Sequence, residues 1–316
     1  MSPLFLARRV AALVATFIVA SLAVFGILAV LPGKPAQVIL GTQATPQSVK
    51  QLTAQLGLNK PLAQQYLDWM HGLVTLHLGN SYISHLPIGH ELGQALGVTL
   101  PLIGFGILVG VLVAVPFGTL AANQQGNRAG LLLSGLSQLG IAIPNFVTGV
   151  VLILIFAVGF GVLPASGFTS WSTDPLLSLK SLVLPSITLG LVEAAILSRY
   201  VRSAVLDVQG SDYLRTARAK GFTRRRALRR HGTRNASIPL LTVLGLEIPS
   251  LIVGAVLVEN VFTLPGIGTL LLQAAANRDL IVVEDITMLV VVLVLVINFL
   301  VDISYRLLDP RLGDEQ

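Results

Sequence analysis

The sequence predicts an all-α protein that crosses a membrane several times. Of its 316 residues, 53% are hydrophobic and only 11% are charged, and the mean hydropathy of +0.80 is far above that of a water-soluble domain. A helix that spans the hydrocarbon core needs about 20 predominantly apolar residues, because every backbone N–H and C=O must be paired inside the segment. Several stretches reach this length, and a polytopic helical membrane protein follows.

Six transmembrane helices are expected. Residues 10–31 carry no charge and follow Arg8 and Arg9, as a secretory signal would. The stretch is longer than the roughly 7–15-residue core of a signal, so it is predicted to be a retained first helix. The other five predicted spans are 95–122, 130–160, 182–206, 237–262 and 286–308, and residues 309–316 form a tail.

The distribution of basic residues predicts that both termini lie in the cytoplasm. Cytoplasmic loops carry an excess of Lys and Arg. With the N-terminus inside, sixteen of the 21 basic residues fall on the inner side and five on the outer side. The chain has no cysteine, which excludes disulfides, thiolate catalysis and cysteine-based metal sites.

A polar segment, residues 32–94, separates the first two predicted spans and is expected to be helical and extracytoplasmic. Thr45 and Pro46 mark one helix start, and Asn59 to Pro61 mark a second. Four histidines, His71, His77, His85 and His90, lie in this segment or at its end. Their spacing fits a metal site poorly, so ordinary interfacial histidines are favoured and no metal is predicted.

Four prolines lie inside the predicted membrane spans: Pro101, Pro116, Pro144 and Pro185. Each removes a backbone hydrogen bond and tends to kink a helix. The sequence leaves open whether these kinks serve packing alone or act as joints of a moving pathway.

Acidic residues inside predicted spans are the first candidates for a pathway, because a buried ionisable group is costly unless it is paired or hydrated. They are Glu193, Glu247, Glu259 and Asp302. Glu259 opens "ENVFTLPGIG", where it either pairs with a substrate ammonium or caps a re-entrant turn, and the cap is slightly favoured. In the last span a polar stripe recurs on one helical face: Asn298, Asp302, Tyr305 and Asp309. Structural hydrogen bonding is favoured over substrate contact for this stripe.

The most basic segment, residues 213–235, has nine Lys or Arg and no acid. A helix Tyr213–Lys220 is predicted, capped by Ser211 or Asp212 and ended by Gly221, and Thr223 is expected to cap a second helix. Attraction to anionic lipid explains the charge but not the small residues before Gly221. Nucleic-acid binding usually also requires stacking aromatics, and few are present. A docking element for a cytoplasmic partner accounts for both features.

Several motifs carry a family resemblance over nearly the whole chain: "RTARAKG" with "RNASIP" in the basic loop, "LGLNKPLAQQYLDWMHGLVTLHLGNSY", "VTLPL", "AIPNF", "SRYVRSAVLDVQGSDY", "VFTLPGIG" and "NFLVDISYRLLDPRL". Together they resemble the permease subunits of bacterial dipeptide and oligopeptide ABC importers. The resemblance implies the type I importer permease fold, with a permease core at 95–308 and a cytoplasmic coupling loop at 207–235.

The resemblance also implies a non-enzymatic subunit that works with other chains. The expected partners are a second, similar permease, two cytoplasmic ATPases that hold ATP and magnesium, and an extracytoplasmic binding protein. The coupling helix would enter an ATPase cleft with these residues: Arg215, Thr216, Ala217, Arg218, Ala219, Lys220, Gly221 and Phe222. Arg224–Arg234 would meet lipid head groups or an acidic rim. The chain has no G-x-x-x-x-G-K-[ST] phosphate loop of its own.

Two positions depart from the general importer pattern. Arg215 stands where many importers have Glu, as is usual in the peptide branch. Glu284 and Asp285 stand where relatives often have Gln-Gly, and we hypothesise that these acids attract the N-terminal ammonium of a peptide.

The expected function is import of dipeptides or short peptides by alternating access. Nickel, haem or glutathione is the alternative cargo within the same family. An ion-driven secondary transporter is the main rival, but neither a repeat nor a clustered ion site is evident. A membrane-embedded enzyme is less favoured, because no catalytic motif lies in a span.

Overall fold

The computed structural model describes residues 3–30, 35–228 and 233–308, and these residues are helical apart from connecting loops and one isolated bridge between Asn80 and Pro87. The helices are α1 Pro3–Val30, α2 Pro35–Leu40, α3 Pro46–Gln55, α4 Leu62–Thr75, α5 Ile88–Asn123, α6 Arg128–Ala142, α7 Asn145–Leu152, α8 Pro175–Gly210, α9 Asp212–Ala219, α10 Arg224–Ala227, α11 Thr233–Val261, α12 Ile267–Ala276 and α13 Leu280–Leu308. A π-helix, Ile153–Gly159, continues α7.

Among the described residues, five helices are long and apolar enough to cross a membrane, and they confirm five of the predicted spans. They are Ala7–Val30, Ile88–Asn123, Pro175–Gly210, Pro239–Val261 and Leu280–Ser304. Each overlaps a predicted span, and each exceeds about 18 residues, the length that a helix needs to cross. The chain is therefore a multi-pass helical membrane protein, as predicted.

The remaining predicted span, 130–160, is not one straight helix. Arg128–Ala142 and Asn145–Gly159 meet at a bend of 99°. Pro144 provides no N–H, and the residue before a proline is driven out of the helical region; Ile143 has φ −82° and ψ 121°. Pro144 therefore breaks the helix, whereas α5 continues through Pro101 and Pro116.

In its described part, the segment between α1 and α5 holds three short α-helices, of which sequence predicted two, and a 3-10 turn at Gly41–Gln43. Thr45 caps α3 because its Oγ1 accepts a hydrogen bond from the backbone N–H of Ser48. The Ser48 Oγ in turn accepts from the backbone N–H of Thr45. Gly57, with φ +71°, reverses the chain before α4. The additional helix α2 has only six residues and begins at Pro35.

The described residues form two compact units, and the boundaries fall within α5, after α11 and within α13. One unit contains the chain up to Val98 together with Pro265–Val296. Its apolar core is built from the beginning of α5, from α12 and from the beginning of α13: Ile88, Leu92, Ala95, Ile267, Ala274, Val282 and Ile286.

The other unit contains Thr99–Leu264 and the described residues from Ile297 onward. Helix α8 lies at its centre, with 72% of its most apolar stretch buried, and packs against α5, α6, α7 and α11. Small residues permit the close approach of its neighbours. A Cβ on Gly254 of α11 would lie only 2.9 Å from Asn145 Nδ2 and 3.0 Å from Leu189 Cδ1.

Candidate functional site

The predicted helix, glycine, helix arrangement in the basic loop is present. Helix α9 runs from Asp212 to Ala219, and Gly221 follows with φ +90°. The backbone N–H of Phe222 donates to the carbonyl of Ala217 at 3.2 Å, which is the terminal bond of a glycine-ended helix. Thr223 then caps α10, because its Oγ1 accepts from Arg226 N at 3.4 Å.

The segment has an apolar underside and a polar upper face. Leu214 and Ala217 are buried with Val208 of α8 and Ala227 of α10, and Phe222 packs against them. The exposed face consists of Arg215, Thr216, Ala219 and Lys220. Ala217 therefore anchors α9 to its own chain. Residues 229–232 of the basic run and the Arg218 side chain lie outside the described residues.

Two predicted pathway acids come together in the interior of the second unit. Glu193 of α8 is 2% exposed, and its Oε1 has no hydrogen-bond partner. Glu247 of α11 lies near enough to interact with it electrostatically. Gly110 of α5 leaves room for the Glu193 side chain, because a Cβ there would lie 2.9 Å from Glu193 Cγ.

Glu259 of α11 is one of the buried acids of the second unit. Its side chain is fully buried and accepts a hydrogen bond from Thr99 Oγ1 at 2.6 Å. The backbone carbonyl of Glu259 accepts from Leu264 N at 2.8 Å, within the turn that follows. The carboxylate ties α11 to α5, and the expected capping of the turn by this side chain stays a prediction.

Asp285, one of the two acids at the start of the last span, lies in the first unit beneath α4. It is 2% exposed, and its Oδ1 accepts from Trp69 Nε1 at 2.9 Å. The Trp69 ring stacks on Phe25 with centroids 6.0 Å apart, and Tyr66 packs edge-on against Phe25. The Tyr66 hydroxyl lies 2.9 Å from Ser21 Oγ. Aromatic rings on α4 thus join α1 to α13.

Asp279, which sequence reasoning missed, holds the loop before α5. Its carboxylate accepts from Ser81 Oγ at 2.5 Å and from the backbone N–H groups of Tyr82 and Ile83 at 3.3 Å. Burial, followed by the charges of Glu284, Asp279 and Asp285, raises the pKa of Tyr82 to about 12. The Tyr82 hydroxyl therefore keeps its proton at neutral pH and remains a donor.

The polar stripe of the last span is only partly described. Asn298 is exposed and Asp302 is half-buried, while the Tyr305 side chain and all of Asp309 lie outside the described residues. Helices α13 and α11 approach closely at an apolar residue: a Cβ on Gly245 would lie 2.8 Å from the Val301 methyl groups. The expected packing of the polar stripe against another helix stays a prediction.

Two of the histidines contact residues of their own segments. His77 Nδ1 lies 2.8 Å from the carbonyl oxygen of Thr75, and His90 Nε2 lies 2.9 Å from Gln94 Nε2. Within the described ranges, no group of three or more His, Cys, Asp or Glu side chains is arranged to hold a metal ion.

Comparisons with known proteins bear on this arrangement. Residues 114–314 match the family described as "Binding-protein-dependent transport system inner membrane component", and residues 3–92 match the N-terminal component of such systems. The solved MetNI methionine ABC transporter, in an inward-facing conformation, superposes with a TM-score of 0.59 and 20% identity, covering 71% of this chain and 98% of that chain. This likeness confirms the predicted importer permease fold.

Relatives match the chain along its length. The "Probable peptide ABC transporter permease protein y4tP" of Sinorhizobium fredii is 36% identical over 308 residues, covering 98% of both chains. The "Dipeptide transport system permease protein DppB" of Escherichia coli K12 is 34% identical over 332 residues, also covering 98% of both. The chain therefore belongs to the family of binding-protein-dependent transport system inner membrane components, within its peptide ABC permease branch.

Proposed function

We propose that this chain is the non-catalytic permease subunit of an ATP-driven importer of dipeptides or short peptides in a bacterial plasma membrane. The observation that carries the proposal is the match to peptide permeases over 98% of the chain. The buried acids of both units supply groups that attract a cationic peptide end. Both termini and the α9 segment lie in the cytoplasm, as the basic residues favour.

The proposed complex contains a second similar permease, two cytoplasmic ATPases that bind ATP and magnesium, and an extracytoplasmic binding protein. The α9 segment is the coupling helix that enters an ATPase cleft. Its exposed Arg215, Thr216, Ala219 and Lys220 make the contact, and its buried Leu214 and Ala217 pass the motion to α8. ATP binding and hydrolysis on the partner ATPases drive the permease pair between its inward-open and outward-open states.

The first test is to tag the chain in its native membrane, solubilise it gently and identify the chains that copurify by mass spectrometry. Recovery of a second permease and ATPases is expected, and a copurified binding protein would indicate the cargo. Vesicles that contain the recovered complex and the binding protein should then take up a labelled dipeptide only when ATP is supplied on the side of the membrane that the ATPases face.

Other outcomes would assign a different function. Recovery of the chain alone after crosslinking, with uptake driven by an ion gradient, would favour a secondary transporter. ATP-driven uptake of nickel, haem or glutathione, with no uptake of dipeptide, would keep the importer and replace its cargo.

A further inference from the structure

A cavity of about 1120 Å³ lies within the first unit, and the proposed function leaves it unexplained. Its wall includes the end of α1, residues of α3 and α4, the loop that holds Tyr82, and the first turns of α13. Phe25 and Trp69 line one side, and Glu284 and Asp285 line another. A volume of this size can accommodate a small organic ligand, since ligand pockets measure roughly 300–1,000 Å³.

Asp285 gives the cavity a specific polar feature. The side chain is 98% buried, yet only Oδ1 is engaged, by Trp69 Nε1 at 2.9 Å. Oδ2 is buried and has no hydrogen-bond partner. A buried acceptor without a donor is unfavourable, and buried acceptors in proteins nearly always have one. Because Asp285 lines the cavity, a ligand there that carries a donor would reach this oxygen.

The charges around Asp285 favour a cation. Glu284 is half-buried and lines the same cavity, and in the described residues neither acid forms an ion pair. Lys60, which also lines the cavity, is engaged by Asp68 at 2.7 Å. Lys50 is exposed. The part of the cavity wall formed by α13 is therefore acidic. Among the described residues, no basic side chain forms an ion pair with its two carboxylates.

The type of cation follows from the remaining walls. A metal ion needs several converging ligands, and the described residues hold no such group of His, Cys, Asp or Glu. A primary ammonium brings three donors to carboxylate oxygens, and aromatic faces such as those of Phe25 and Trp69 stabilise an organic cation beside them.

We propose that this cavity is a binding subsite for a primary ammonium group, supplied by the N-terminus of a short peptide, with Asp285 Oδ2 and the Glu284 carboxylate as its acceptors. The proposal rests on the proposed function, which provides the peptide, and adds a place in this chain where the peptide is held. The Tyr82 hydroxyl, which lines the same cavity as a donor, is suited to a carbonyl oxygen of the same ligand.

Trp69 provides a direct readout, because it donates to Asp285 and the chain has only two tryptophans. The full chain with Trp171→Phe leaves Trp69 as the single tryptophan, which is excited selectively at wavelengths longer than those that tyrosine absorbs. In nanodiscs of phosphatidylcholine and phosphatidylglycerol, alanyl-alanine should change the Trp69 emission in a saturable way. N-acetyl-alanyl-alanine, which has no ammonium, should not.

Substitutions locate the site. Asp285→Asn keeps an acceptor for Trp69 but removes the charge, and the half-saturation concentration for alanyl-alanine should rise roughly ten- to a hundredfold. Glu284→Gln should raise it in the same direction, and this second variant covers the case in which Asp285→Asn fails to fold. The matched control is Asp68→Asn, which lines the cavity but is engaged by Lys60, and it should leave the half-saturation concentration unchanged.

Three results would overturn the subsite: no saturable response, an equal response to the acetylated peptide, or unchanged binding in both the Asp285 and Glu284 variants. A response that appears only when phosphatidylethanolamine replaces the peptide would assign the ammonium to a lipid head group and overturn the peptide source. The proposed function fails by a different result, namely no ATP-dependent dipeptide uptake by the assembled complex. Uptake with normal kinetics in Asp285→Asn would overturn the subsite alone.

Discussion

Single glycines decide how closely two central helices of the second unit approach. A Cβ on Gly118 of α5 would lie 2.5 Å from the carbonyl oxygen of Ser198 and 2.8 Å from Val201 Cβ on α8. Gly106 and Gly110 face the same helix. Because the nearest atom at position 118 belongs to backbone, it cannot move aside as a flexible side chain would. The approach of α5 to α8 therefore requires glycine at this position.

Replacing Gly118 with alanine should destabilise the chain by about 1–3 kcal/mol, because the added methyl group overpacks a tight contact. Gly104 is the matched control on the same helix, since no atom lies within 4 Å of its added Cβ. Gly104→Ala should be neutral or stabilising by up to about 1 kcal/mol, through helix propensity. Denaturant unfolding in mixed micelles measures both variants. Equal free energies of unfolding would contradict the packing argument.

The residues that could be foreseen are those whose role is local. Thr45 and Pro46 were predicted to begin a helix because both signals are adjacent in sequence, and Thr45 does cap α3 through its bond to Ser48, three residues away. The hydrogen bond from Trp69 to Asp285 joins residues 216 positions apart, and no periodicity or spacing in the sequence predicts it. An aromatic ring at the buried side of the amphipathic α4 was the available signal, but it names no partner.

At the scale of elements, length and apolar content predict spans well and bends poorly. The predicted segments 95–122 and 182–206 correspond to α5 and α8, with ends extended by a few residues. Pro144 was counted with three other prolines as a kink, yet it separates α6 from α7 by 99°. Whether a proline bends or breaks a helix depends on neighbours that satisfy the freed backbone groups, and these neighbours are distant in sequence.

The proposed function assigns folding and docking to different faces of helix α9, and this assignment can be tested. Ala219→Trp adds bulk to the exposed face and leaves the buried Leu214 and Ala217 untouched. The variant should insert and fold normally but recover several-fold less ATPase on copurification. Gln125→Trp serves as control, because Gln125 is exposed in another loop predicted on the same side. Normal ATPase recovery and normal ATP-driven uptake with Ala219→Trp would contradict the docking role.

At the scale of the whole chain, the bent pair of helices decides the membrane topology. If α6 and α7 cross as one span, six crossings place both termini on one side. If the pair is re-entrant, five crossings place the termini on opposite sides. The basic loop after α8 would then face outward with nine Lys or Arg, against the bias that orients membrane proteins.

The packing of α5 on α8 bears on the same choice. Gly106 lies against Leu189, Gly110 against Glu193 and Gly118 against Val201, so both residue numbers increase together and the helices run parallel. Two parallel spans must cross the membrane in the same direction. The chain between them therefore has to return to the side from which α5 began, and the bent pair α6 and α7 is the described segment that can take it back.

Cysteine labelling tests this topology directly, because the chain has no cysteine of its own. Ser166→Cys, in the exposed loop after the bent pair, should react with a membrane-impermeant maleimide in intact cells. Gln125→Cys, before the pair, should react only after permeabilisation, since six spans put these loops on opposite sides. Gln47→Cys is the control, because the segment after the first span is outside in either topology. Equal protection of positions 125 and 166 would show that the pair is re-entrant. In that case α5 and α8 would cross the membrane in opposite directions, which contradicts their parallel packing.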